Sequence, residues 1–335
     1  MARKLLASGL GERYPVDCMH LGMNPLGDDF YTDATEIFAG LSIRSLFVNT
    51  FFFRFNETTI EHLQDLVELK ISDPVDWVSD RENGSKLPKP VLPLLEKLEI
   101  SSSDLPGVMD LPLNVEMPRL HNLQLYVDRR AWRDRTILAE WVEVLFGGAR
   151  SARLRKLKCN VLIDESDALQ FLDALLQHLP RCTSLETVKF NISHLERLGD
   201  CIRAVGSNGA PCRSLKIKRG ESDCKPEDLS RLWAILISSL KTDPWDHLEI
   251  LHIDLTLECL ELASEIPHLS TLLEAAKQSR AVEPPKGQYL PDTTPEEKAL
   301  QQPLRQWIRD RMAEAGLKDA CKDKEIGLRV VYRYM

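Results

Sequence analysis

LRKLKC (Leu154–Cys159), LETVKF (Leu185–Phe190) and CRSLKI (Cys212–Ile217) set apolar residues at the first, fourth and sixth positions, and every fifth position is lysine. The same spacing recurs outward in both directions: CMHLGM ending at Met23, IRSLFV at Val48, LVELKI at Ile71, LEKLEI at Ile100, LHNLQL at Leu125 and LEILHI at Ile253. The last two apolar residues of each hexad alternate as a strand requires, so both point to one side and the residue between them to the other. Nine such hexads in order mark an internal repeat, which governs the whole reading of a chain.

The middle apolar residues are Leu21, Leu46, Leu69, Leu98, Leu123, Leu157, Val188, Leu215 and Leu251. Their steps of 25, 23, 29, 25, 34, 31, 27 and 36 residues scatter around the 20 to 29 of ordinary leucine-rich repeats. The expected fold is therefore α/β: an irregular leucine-rich-repeat solenoid over residues 1–280, with a parallel sheet on the concave side and helices or loops on the convex side. One repeat cannot bury its own apolar face, so each return segment must cover the sheet. Helical spacing supports this at Leu138, Trp141, Val142 and Leu145, and at Leu169, Leu172, Leu175 and Leu176. It is clearest after Pro226, where Leu229, Leu232, Trp233, Leu236 and Leu240 form one stripe.

Past this region, the prolines between residues 281 and 303 suggest a linker or wrap, and residues 304–335 a helix and strand that cap the solenoid. Thr294-Pro295-Glu296 is a good helix start, and Leu304, Trp307, Ile308 and Met312 form an apolar stripe ahead of Gly316. In the final IGLRVVYRYM, Leu328, Val330 and Tyr332 alternate as in a closing strand. The rival reading makes this tail a docking element for a partner.

Net charge is −8, which argues against nucleic acid or an anionic membrane as partner of the whole surface. No uncharged apolar run reaches membrane-spanning length. Eight cysteines without a C-x-x-C pair, and an N-terminus without a secretory apolar core, indicate reduced thiols and a cytoplasmic or nuclear setting. No phosphate loop, nucleophile elbow, HExxH or paired Cys/His set occurs, so no catalytic residue, metal or cofactor is expected and the chain reads as a non-enzyme. An enzyme with an unfamiliar active site is the alternative from another class. Phe51, Phe52 and Phe53 read as core, and Asp164, Glu165 and Asp167 as the cap of a helix.

The outward residues form a ladder: His20, Phe47, Lys70, Glu99, Gln124, Lys158, Lys189, Lys216 and His252. Three consecutive rungs are lysine, and Lys156, Lys218, Asn160 and Asn191 flank them. The expected partner-binding residues are Lys156, Lys158, Lys189, Lys216, Lys218 and His252, and the partner a protein bearing an acidic or phosphorylated segment. A plain solvated lysine face is the competing account.

With SLETVKFN (Ser184–Asn191) and HLEILHID (His247–Asp254), the irregular hexads resemble the leucine-rich-repeat region of fungal F-box proteins, over about Val16 to Leu257. The resemblance implies a substrate-recruiting arc and, where an F-box is present, a Skp1-type adaptor and a role as substrate-recognition subunit of an SCF-type ubiquitin ligase. ATEIFAGL (Ala34–Leu41) is the nearest match to an F-box and lacks its leading Leu-Pro and its later helices.

Overall fold

The computed structural model describes residues 13–22, 32–33, 38–49, 53–72, 76–77, 89–102, 114–127, 142–143, 145–147, 149–161, 166–192, 194–207, 209–224, 226–242, 244–257, 262–281 and 294–334. Its strands are β1 (Tyr14–Gly22), β2 (Thr32–Asp33), β3 (Leu41–Asn49), β4 (Phe53–Phe55), β5 (Glu68–Ile71), β6 (Asp76–Trp77) and β7 (Lys97–Ser102), followed by β8 (Asn122–Val127), β9 (Lys156–Val161), β10 (Thr187–Ile192), β11 (Ser214–Cys224), β12 (Ile250–Leu257) and β13 (Gly327–Tyr334). Ten of them form one sheet in the order β1-β3-β5-β7-β8-β9-β10-β11-β12-β13, parallel throughout. Strand order follows chain order, so every return segment carries the chain one place along the sheet, in the manner of an α/β solenoid.

From β3 onward the register is the one the hexads require. Leu46, Leu69, Leu98, Leu123, Leu157, Val188, Leu215 and Leu251 stand opposite one another in successive pairs, and none is more than 2% exposed. The sixth-position residues, from Val48 to Ile253, form a second buried column beside them. Burying one such side chain stabilises by roughly 1.5–3 kcal/mol, and stacking lets each layer complete its neighbour's core.

The first hexad is set differently from its expectation. Met19, not Leu21, lies opposite Leu46, and Leu21 lies opposite Val48. Apolar residues alternate through Met19, Leu21 and Met23, so a two-residue slide leaves the same face apolar and the sequence pattern alone does not choose between settings.

The helices are α1 (Glu57–His62), α2 (Ala149–Arg153), α3 (Ser166–His178), α4 (Leu195–Gly206), α5 (Pro226–Thr242), α6 (Leu269–Ala281), α7 (Pro295–Ala315) and α8 (Leu317–Asp323). On the buried side of the sheet, α3 places Leu172 and Leu175, and α5 its predicted stripe of Leu229, Leu232, Trp233, Leu236 and Leu240. The returns near the N-terminus carry short strands as well, since β2, β4 and β6 pair into a small parallel sheet. Phe53-Arg54-Phe55 alternates and lacks helical spacing, which suits an extended segment. Asn56 then caps α1, accepting the Thr59 N–H at 2.7 Å. Phe51, Phe52, Asp164 and Glu165, like the side chains of Phe53 and Asp167, lie outside what is described.

Within the stretch 281–303, α7 begins at Pro295, where Thr294-Pro295-Glu296 signals a helix start, and it runs through Pro303. Thr294 is the reason: its hydroxyl accepts the Glu297 N–H at 3.2 Å while the Glu297 carboxylate accepts the Thr294 N–H at 2.8 Å. An interior proline costs a helix about 3 kcal/mol. Burial of Leu300, Leu304, Ile308 and Met312 along one stripe offsets that cost. Gly316 closes α7 with φ 78°, a left-handed cap suited to glycine. β13 then pairs with β12 over its whole length, from Ile250 opposite Gly327 to Leu257 opposite Tyr334.

Candidate functional site

Side chains between the two buried columns emerge on the opposite face of the sheet, which none of the described helices is seen to bury as it buries the columns. The predicted ladder stands in register: His20 opposite Phe47, then Lys70, Glu99, Gln124, Lys158, Lys189, Lys216 and His252 on successive strands. Rungs in a sheet are roughly 4.8 Å apart, so neighbouring side chains feel one another's charge.

The ladder divides into two electrostatic halves. On β5 and β7 the charges balance. Lys70 meets Glu99 at 2.7 Å, and Lys97 bridges Glu68 and Glu99. At the N-terminal end the His20 ring stacks on Phe47 with centroids 4.6 Å apart.

From β9 to β12 the balance is lost. The Lys158 ammonium lies 4.3 Å from the centre of the Tyr126 ring, a cation–π contact, and 3.5 Å from the Gln124 side-chain oxygen. Lys216 approaches Asp254 at 4.0 Å. Lys189, between them, makes no ion pair with a described residue. Partial burial lowers the Lys158 and Lys189 pKa values from their ordinary range, and for Lys189 the charges of Lys158, Lys216 and Lys218 push the same way. His252 is likewise lowered, first by burial and then by Lys216 and Arg329. At each of these positions burial and neighbouring positive charge disfavour the protonated form.

Lys158, Lys189, Lys216 and His252 are thus brought into one continuous row, while Lys156 and Lys218 lie on flanking rows. Lys156 is opposite Thr187 and Asn122, and Lys218 is opposite Asp254. In the row that holds Lys218, the side-chain oxygen of Asn160 and one carboxylate oxygen of Asp254 are buried without a hydrogen-bond partner; so is the Nε2 atom of His252 one row away.

Three residues of this surface escaped the sequence reading. Arg329 continues the ladder opposite His252; the alternation of Leu328 and Val330 contains the signal, since the residue between them must face outward. Asp254 is the row's single close counter-charge, and Tyr126 supports Lys158. Both lie two positions beyond a ladder residue, a row the fifth-position rule passes over.

Among the described residues no group of three His, Cys, Asp or Glu side chains is placed to hold a metal ion, and no helix is long and apolar enough to cross a membrane. Burial pushes the thiols of Cys159, Cys182 and Cys212 up to about 12, so they stay protonated at neutral pH. No family model matches the chain, and no curated protein matches it.

Proposed function

We propose that the chain is a non-catalytic leucine-rich-repeat scaffold whose open sheet face, from β9 to β12, binds an acidic or phosphorylated segment of a protein partner. The observation that carries this reading is the in-register row Lys158, Lys189, Lys216, in which the one ion pair among the described residues is that of Lys216 with Asp254. Two unit charges about 4 Å apart interact by about 1 kcal/mol in water and about 4 kcal/mol near a protein surface, so stacked ammonium groups gain from an anion laid across them. The patch is local. It sits on a molecule of net charge −8, where it gives a negatively charged partner one place to land.

The buried columns of leucine, isoleucine and valine at hexad spacing support the repeat assignment. Charge reversal of Lys158, Lys189 and Lys216 together is expected to abolish capture of the partner while leaving the thermal unfolding midpoint within a few degrees. Unchanged capture by the folded triple variant overturns the proposal.

A further inference from the structure

β13 ends the sheet, pairing with β12 on one side and with no described strand on the other. The Gly327 N–H donates to the Glu249 carbonyl at 2.8 Å, towards β12. Amide groups alternate in direction along a strand, so those of Leu328, Val330 and Tyr332 point to the free edge. Sheet edges are commonly blunted by charge, proline or a covering element. Here the edge instead opens on a groove of about 570 Å³ between β13 and the second half of α7.

The groove has an apolar floor and a basic rim. Ile308, Met312, Leu328 and Val330 line it, with Arg309 and Lys318 beside them, and no carboxylate is among the described residues that line it. Neither Arg309 nor Lys318 makes an ion pair with a described residue. Leu328 and Val330 pack on the core yet remain only partly buried, as the last layer of a stack does.

We infer that the free edge of β13 accepts an extended segment of a partner protein as an added strand, and that this segment carries both apolar and acidic side chains on the one face that meets the groove. Its backbone would pair with the outward amides of Leu328 and Val330. Every second side chain would enter the groove, the apolar ones against Ile308, Met312, Leu328 and Val330 and the acidic ones against Arg309 and Lys318. This is strand addition, in which main-chain hydrogen bonds supply affinity and alternate side chains specificity. It is independent of the lysine row.

The test is fluorescence anisotropy with a labelled nonapeptide, Thr-Glu-Thr-Val-Thr-Val-Thr-Glu-Thr, which puts valine and glutamate on one face of a strand, titrated with the full chain. Saturable binding is expected, weakened at least about tenfold by Val330→Pro, which removes one edge N–H without breaking a bond to β12. Arg309→Glu with Lys318→Glu, which leaves the backbone untouched, is expected to weaken it similarly. The Lys158, Lys189 and Lys216 charge reversal is expected to leave it unchanged. Equal binding of the same peptide with lysine in place of glutamate, equal binding by both edge variants, loss of binding in the lysine-row variant, or self-association of the chain through this edge would each overturn the inference.

Discussion

His252 shows how a single residue carries both legible and hidden information. Its place on the open face follows from the alternation of Leu251 and Ile253, and the structure puts it opposite Lys216 on one side and Arg329 on the other. Its neighbourhood could not be read that way, because Lys189, Lys216 and Arg329 arrive from three other strands. The resulting pKa lies below the ordinary 6.5. Between those two values the unfolded chain binds more protons than the folded one, so stability present above pH 6.5 is lost as pH falls towards the lowered value. Urea denaturation at pH 7.5 and pH 5 should therefore show a drop that His252→Gln reduces. A variant with the same drop as the parent would remove His252 from the account. Lys189 follows the same logic in reverse: its rung was predictable from Val188 and Phe190, whereas its lack of a counter-ion depended on which residues flank it across the sheet.

At the scale of elements, legibility tracked periodicity. The stripe from Leu229 to Leu240 specified α5, with Pro226 as its first residue, because apolar spacing and end signal agreed. α7 was harder. Pro303 argues locally against a helix, and only the reciprocal Thr294–Glu297 cap together with the buried stripe beyond it overrides that preference. The first hexad misled for the opposite reason, since its alternation extends too far to fix one setting. α7, α8 and β13 cover the end of the sheet at β12 and pack on α5 and α6. Deleting residues 295–335 would uncover that edge and those helix faces, so the truncated chain is expected to unfold at a temperature lower by several degrees or to aggregate. An unchanged midpoint would make the segment a dispensable docking tail.

Across the whole molecule, one rule repeated along the chain turned a linear spacing into a surface. Each hexad sends two residues inward and one outward, so eight of the nine weak local patterns, all but the first, placed the core columns and the ladder ahead of any tertiary contact. The small sheet of β2, β4 and β6 and the split of the ladder into balanced and cationic halves were not legible. They depend on how return segments pack and on which charges meet across neighbouring strands. That split makes the account testable as a whole, because it confines an acidic partner to one end of an otherwise accessible face. Lysine acetylation footprinting of the chain, alone and bound to the partner that it captures, measures this most directly. The account predicts that Lys158, Lys189, Lys216 and Lys218 become protected while Lys241, Lys277 and Lys322 on helices stay reactive. Full reactivity of the ladder lysines in the complex, with protection elsewhere, would contradict it.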